Sequence, residues 1–379
     1  MADLAAKHGA RTVALEHRFY GESLPSADDL ATALSVDNLQ FHSVEQSLAD
    51  LAAFIMYFDA EATWFAFGGS YPGALSAWFR IAYPNSTVGS HSSSGVVNAI
   101  YEFEEFDEQV AASAGADCAD AIRATTAALE DAVVLSTESA AHVKGLFGAG
   151  ALEGADFWYM TADSAAMAVQ YGMKADLCTP LTEAAKHGGD LISTFANLTN
   201  QIWGDSFGSD CFYDTNCLKD PAQAARWQPT ARSWRWQKCS QLAYFQVAPA
   251  TGSLRSTDVT LDYHEWQCAQ AFGEGTTNAK QATAAINAKL GGDEPQGESI
   301  YFANGSDDPW QQASLSPLDS TSPREPAMLA VCDSCGHCGD LHSASDADPP
   351  NLTAQRDAIA GFVSQWLDAA AVTEKQASH

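Results

Sequence analysis

A serine hydroxyl becomes a nucleophile where a sharp turn exposes it and a neighbouring base takes its proton. Ser70 stands in Phe67-Gly-Gly-Ser-Tyr-Pro-Gly73, between an apolar run that reads as a strand and a run with helical spacing. Glycines before and after it suit a strained turn in which flanking side chains would collide. The strict G-x-S-x-G pattern has Pro72 in its second glycine position, with Gly73 one residue later. On the hexapeptide alone, an ordinary glycine-rich turn between strand and helix is the competing reading.

The nucleophile needs a histidine as base and a carboxylate to fix that histidine's tautomer, in the chain order Ser, acid, His for a parallel α/β sheet enzyme. Two later segments supply them. Phe302-Ala-Asn-Gly-Ser-Asp-Asp-Pro-Trp310 puts Asp307 and Asp308 on a loop after a strand, and Cys335-Gly-His-Cys-Gly-Asp-Leu341 puts His337 after the next. Singly, a loop Asp is a turn residue and a loop His a solvated one; the ordered trio points to acyl transfer. Tyr71 follows the nucleophile, so its backbone N–H is the candidate oxyanion donor.

The same histidine has a rival chemistry. Cys332, Cys335 and Cys338 are spaced C-x2-C-x2-C, with His337 and His342 beside them, as in a zinc or iron–sulfur site. No second CxxC pair exists elsewhere, and the alternative is disulfide formation, Cys332 and Cys335 pairing with each other or with distant cysteines. The expectation is no metal and no cofactor. Nine cysteines leave at least one thiol unpaired within the chain.

The elements that must position these groups follow from periodicity. Arg11–Glu16, Thr63–Phe67, Val88–Gly95, Ser299–Ala303 and Ala327–Val331 read as strands. Val44, Leu48, Leu51, Ala52, Ile55 and Met56 recur at helical spacing behind a Ser43/Gln46 capping box, and Ala74–Ala82 reads as the helix after the serine. Strands alternating with helices predict a parallel sheet. From about 98 to 290 the texture is helical. A closing helix carries Ile359, Phe362, Val363, Trp366 and Leu367 on one stripe. The expected organisation is an α/β core over 1–97 and 291–379, interrupted by a helical insertion over 98–290.

With 379 residues and 46% hydrophobic content, the chain can bury a large core. Its formal net charge of −29 repels phosphate backbones and anionic lipid, so nucleic acid is excluded as a partner class, and no apolar run is long enough for a membrane span. The sequons at Asn85, Asn197, Asn304 and Asn351 point to a secretory route, whereas the residues after Met1 lack a signal peptide's apolar stretch.

Four motifs in one order, Glu16-His-Arg-Phe-Tyr-Gly-Glu-Ser-Leu-Pro25, Gly68-Gly-Ser-Tyr-Pro-Gly73, Asn304-Gly-Ser-Asp-Asp-Pro-Trp310 and Gly336-His-Cys-Gly-Asp-Leu341, resemble the family of lysosomal prolyl-carboxypeptidase, dipeptidyl-peptidase II and thymus-specific serine protease. Ser94-Gly-Val-Val-Asn98, Trp234-Arg-Trp-Gln-Lys-Cys239 and the stretch Cys268–Gly273 add to the resemblance, which runs from about residue 11 to 368. It implies an α/β-hydrolase core with a helical cap and a serine exopeptidase acting beside proline. It assigns the acid to Asp308, directly before Pro-Trp, and the base to His337, and implies that Trp310 walls the proline pocket, where an indole face suits a pyrrolidine ring. The implied partner is a peptide with proline near one terminus, the location secreted, lysosomal or vacuolar, and a homodimer is left open. Relatives carry, ahead of the Glu-His-Arg motif, a signal peptide and strands whose glycine-rich loop would supply a second oxyanion donor. The expectation is therefore an N-terminally truncated chain whose first strands are missing. Rival readings are an esterase or lipase on the same fold, and an inert hydrolase-fold protein that binds peptides.

Overall fold

The computed structural model describes residues 1–26, 29–316 and 324–377. Four strands, β1 (Phe65–Gly69), β2 (Gly89–Ser93), β3 (Ile300–Gly305) and β4 (Ala327–Ala330), form one parallel sheet in the order β1-β2-β3-β4. Register pairs Gly69 with Ser93, Ser93 with Ala303, and Gly305 with Ala330, so all four strands finish at a common carboxyl edge. The loops leaving that edge carry the candidate residues, as expected for an open α/β sheet.

The sheet is covered on both faces, which is why β3 is buried along its whole length. Alternate residues face opposite ways: Ile300 and Phe302 enter the main core, while Tyr301 and Ala303 join a second cluster. Helix α1 (Val44–Asp59) packs on α2 (Tyr71–Ala82), which crosses from β1 to β2 and buries Ala74, Trp78 and Phe79 in the main core. All regular elements between β2 and β3 are helices among the described residues, including α3 (Ala155–Gln170) and α4 (Pro229–Gln237). Their apolar faces fuse with the sheet's core through Phe106, Phe157 and Tyr159, joined by Phe103 from the loop before them. The last helix, α5 (Pro350–Ala377), lays Ile359, Phe362, Val363, Trp366 and Leu367 against Tyr301, Phe65 and Phe67. No described helix is long and apolar enough to cross a membrane.

The strand expected over Arg11–Glu16 does not form. A strand exists only through a ladder partner, and β1 pairs with β2 alone. A cavity of about 590 Å3, lined by Ala14, Leu51, Phe54, Phe67 and Val363 among others, lies between this run and β1. Val13 and Leu15 remain 41% and 39% exposed. The Ser43 half of the capping box is present, with the Ser43 side chain accepting from the Gln46 N–H at 3.3 Å. The sequon at Asn304 is corrected too: Asn304 is buried on β3 and donates to the Leu315 carbonyl, out of reach of a glycan, whereas Asn85, Asn197 and Asn351 are exposed.

Candidate active site

Ser70 occupies the single position between β1 and α2 with φ 61° and ψ −129°, a conformation costly for any residue with a side chain. The surrounding glycines follow from sterics. A Cβ on Gly68 would lie 1.8 Å from the Pro72 carbonyl oxygen, and one on Gly73 would lie 2.7 Å from that of Ser93. The clearance a second glycine gives elsewhere is thus supplied here by Gly73, and Pro72 is accommodated within the first turn of α2, where its missing N–H costs nothing. The Ser70 N–H donates to the Ser93 carbonyl at 2.9 Å, pinning the turn to the end of β2. The Tyr71 N–H opens α2, where amides lack intrahelical acceptors and the helix dipole presents positive charge.

Asp308 and His337 meet at the same edge. His337 Nδ1 lies 2.8 Å from Asp308 Oδ2, and the other carboxylate oxygen accepts the Trp310 N–H at 3.0 Å. Asp308 is completely buried and His337 nearly so. Burial works against the imidazolium, but the Asp308 carboxylate, with the Cys338 thiol beside it, outweighs burial and raises the His337 pKa above its ordinary value. Asp307, the adjacent acid, is otherwise engaged: its Oδ2 accepts from the Ser334 N–H and pairs with Lys174 Nζ, both at 2.8 Å.

The histidine loop is tied to the serine's surroundings. Cys338 donates its N–H to Ser94 Oγ at 2.9 Å, one residue beyond the carbonyl that holds Ser70, and a Cβ on Gly69 would lie 2.9 Å from Cys338 Sγ. From the helical insertion, the Gln170 carbonyl accepts the His337 N–H at 2.7 Å, the Gln170 side chain accepts the Trp310 indole N–H at 2.8 Å, and the Tyr171 ring stands edge-on to His337. Trp310 is partly buried among Phe103, Phe106 and Tyr244. The 590 Å3 cavity lies elsewhere, on the outer side of β1.

Of the C-x2-C-x2-C run, Cys332 and Cys335 are joined in a disulfide and Cys338 is free. Two of the three thiols are therefore unavailable as metal ligands, and no described cluster of His, Cys, Asp or Glu is arranged to hold an ion. Cys118–Cys178, Cys211–Cys217 and Cys239–Cys268 are the other bridges.

Sequence reasoning passed over four contributors. Gln170 carries no local signal. His91 on β2 is buried against Asp340, with Nε2 to Oδ2 at 2.6 Å, while Ser93 donates to the other Asp340 oxygen; this knot fastens the loop after His337 to the sheet. His17 and Gln237 stood within quoted motifs, but nothing in their spacing showed that both reach Tyr71.

Comparison with known proteins shows the family. The family model described as Serine carboxypeptidase S28 matches residues 1–359. The chain is 39% identical over 356 residues to the "probable serine protease EDA2" of Arabidopsis thaliana, covering 89% of this chain and 69% of the relative. It is 28% identical over 404 residues to the thymus-specific serine protease of Mus musculus, covering 97% and 76%. Against the lysosomal Pro-X carboxypeptidase of Bos taurus it is 24% identical over 400 residues, covering 97% and 76%. The chain belongs to the serine carboxypeptidase S28 family and is a serine-type peptidase.

Proposed function

We propose that the protein is an exopeptidase cleaving peptide bonds next to proline through an acyl-enzyme. Ser70 attacks the scissile carbonyl, and His337 takes the serine proton and delivers it to the leaving amine. Asp308 holds the Nδ1–H tautomer and stabilises the imidazolium, and the Tyr71 N–H donates to the oxyanion. Water then hydrolyses the ester, with His337 again as base. The observation that carries this reading is the 2.8 Å Asp308–His337 bond at the sheet edge where Ser70 sits in its strained turn.

Proline specificity rests on the Pro-X relative and on Trp310, two residues after Asp308 and bonded to it through its backbone N–H. Residues 98–290 form a cap over the sheet edge, touching His337 through Gln170 and Tyr171. A cap admits a chain end and excludes a continuing polypeptide. Four disulfides and a relative named as lysosomal support a secretory-route or lysosomal location, with glycans at exposed Asn85, Asn197 and Asn351.

Three reporters test the reading: a dipeptide amide with proline at the second position and a free amine, a peptide ending in proline and one further residue, and a simple acyl ester. Turnover of one proline reporter at least tenfold above the ester is expected. Turnover of the ester alone would replace the reading with that of an esterase.

A further inference from the structure

The Tyr71 side chain has a second connection to the chemistry beyond its position after the nucleophile. The ring is buried between Trp78 and Trp234, with centroids 6.5 and 5.6 Å away, yet its hydroxyl is fully engaged. Gln237, at the end of α4 in the helical insertion, places Nε2 2.7 Å from the Tyr71 oxygen; His17, in the Glu-His-Arg segment, places Nε2 3.0 Å from it. Tyr20 donates its own hydroxyl to Gln237 Oε1 at 2.5 Å.

Donor bookkeeping gives this chain one direction. His17 Nδ1 lies 2.7 Å from the Arg18 carbonyl, which can only accept, so Nδ1 carries the proton and Nε2 is the acceptor. Tyr71 therefore donates to His17 and accepts from Gln237, and Gln237 accepts from Tyr20. Burial holds the His17 pKa below its ordinary value, in keeping with the neutral form this pattern requires. The His17 end is anchored on α1, where the Arg18 guanidinium grips both oxygens of Asp50. A buried phenol needs one partner to satisfy its hydroxyl; this one has two, from segments 220 residues apart in number, His17 and Gln237.

We propose that the Tyr71 phenol, clamped between His17 and Gln237, is a positioning residue for the reaction, fixing the backbone N–H after Ser70 and coupling its alignment to the seating of the helical insertion. The inference rests on Ser70 being the nucleophile and Tyr71 N–H an oxyanion donor. Losing such a donor outright costs on the order of 10²–10³ in kcat. Loosening it costs less, roughly tenfold.

The test compares wild type, Tyr71→Phe, Gln237→Leu and the double variant. The second-order rate of labelling by a fluorophosphonate, kcat and KM on the proline reporter, and thermal midpoint are measured for each. Expected are falls of roughly tenfold in labelling rate and kcat for each single variant, KM within about twofold, and a double variant no slower than the slower single one, because both remove the same clamp. If Tyr71→Phe fails to fold, Gln237→Leu, which leaves the phenol in place, carries the test. Folded variants with unchanged labelling rates, lowered thermal midpoints alone, or independent multiplying losses would each overturn the positioning role. Absence of a Ser70 adduct on the wild type would instead overturn the nucleophile assignment and this inference with it.

Discussion

Asp308→Asn is the substitution whose effect the geometry specifies most closely. The carboxylate has two acceptor oxygens and both are occupied, one by His337 Nδ1–H at 2.8 Å and one by the Trp310 N–H at 3.0 Å. An amide offers one oxygen and one NH2. If the oxygen keeps the Trp310 bond, the NH2 faces Nδ1 and forces the imidazole into the tautomer with hydrogen on Nε2, which cannot accept the Ser70 proton. If the oxygen keeps Nδ1, the NH2 opposes the Trp310 N–H inside a fully buried site, at a cost of about 1–3 kcal/mol. A wrong-tautomer triad loses about 10⁴ in kcat, roughly 5.5 kcal/mol of transition-state stabilisation. Asp307→Asn is the internal control, because its carboxylate serves Lys174 and the Ser334 N–H and lies outside the relay. It should lower kcat by less than about tenfold, with its main effect on stability, since a partly buried ion pair is broken. Initial rates on the proline reporter at saturating substrate, normalised to folded protein, measure both. An Asp307→Asn loss exceeding that of Asp308→Asn would refute the assignment of roles.

Three other outcomes follow. His337 must be neutral to accept a proton, and Asp308 raises its pKa, so the acid limb of kcat/KM should fall above the ordinary histidine value of about 6.5; Asp308→Asn should move that limb to lower pH, and a limb that stays put in the variant contradicts the coupling. Asp340→Ala leaves His91 Nε2 and the Ser93 hydroxyl without their acceptor in the core, a loss of about 1–3 kcal/mol for each stranded group by urea unfolding; a total loss below about 1 kcal/mol would show that the pair does not fasten the histidine loop. Cys332→Ser with Cys335→Ser opens a loop closed over a separation of 3 residues, so its entropic contribution to stability is under about 2 kcal/mol. The Cys335 carbonyl holds the Asp307 N–H, and Ser306 bonds Cys332, so kcat should fall several-fold through the loops bearing Asp308 and His337, whereas unchanged kcat would show that the bridge does not brace them.

Much of the candidate site was legible because its chemistry restricts residue types. Ser70 needs small neighbours, and the order of Asp and His along the chain follows from strand order. The choice of Asp308 over Asp307 came from resemblance; the structure adds the reason that Lys174 and Ser334 already occupy Asp307. The apolar runs marked β1, β3 and β4 because buried parallel strands need such residues, whereas Arg11–Glu16 has the same texture without a partner. Asn304 matched a sequon while lying inside β3, since a tripeptide says nothing of burial. The clamp on Tyr71 was hidden for a different reason: hydrogen bonds between residues 54 and 166 positions apart leave no trace in local spacing.

Peptide mapping of the wild-type protein after fluorophosphonate treatment tests the central claim most directly. The account predicts one adduct, on Ser70, that is lost in His337→Ala, because the serine is activated only through that imidazole. A folded preparation with no adduct, or with the adduct on any other residue, would contradict it.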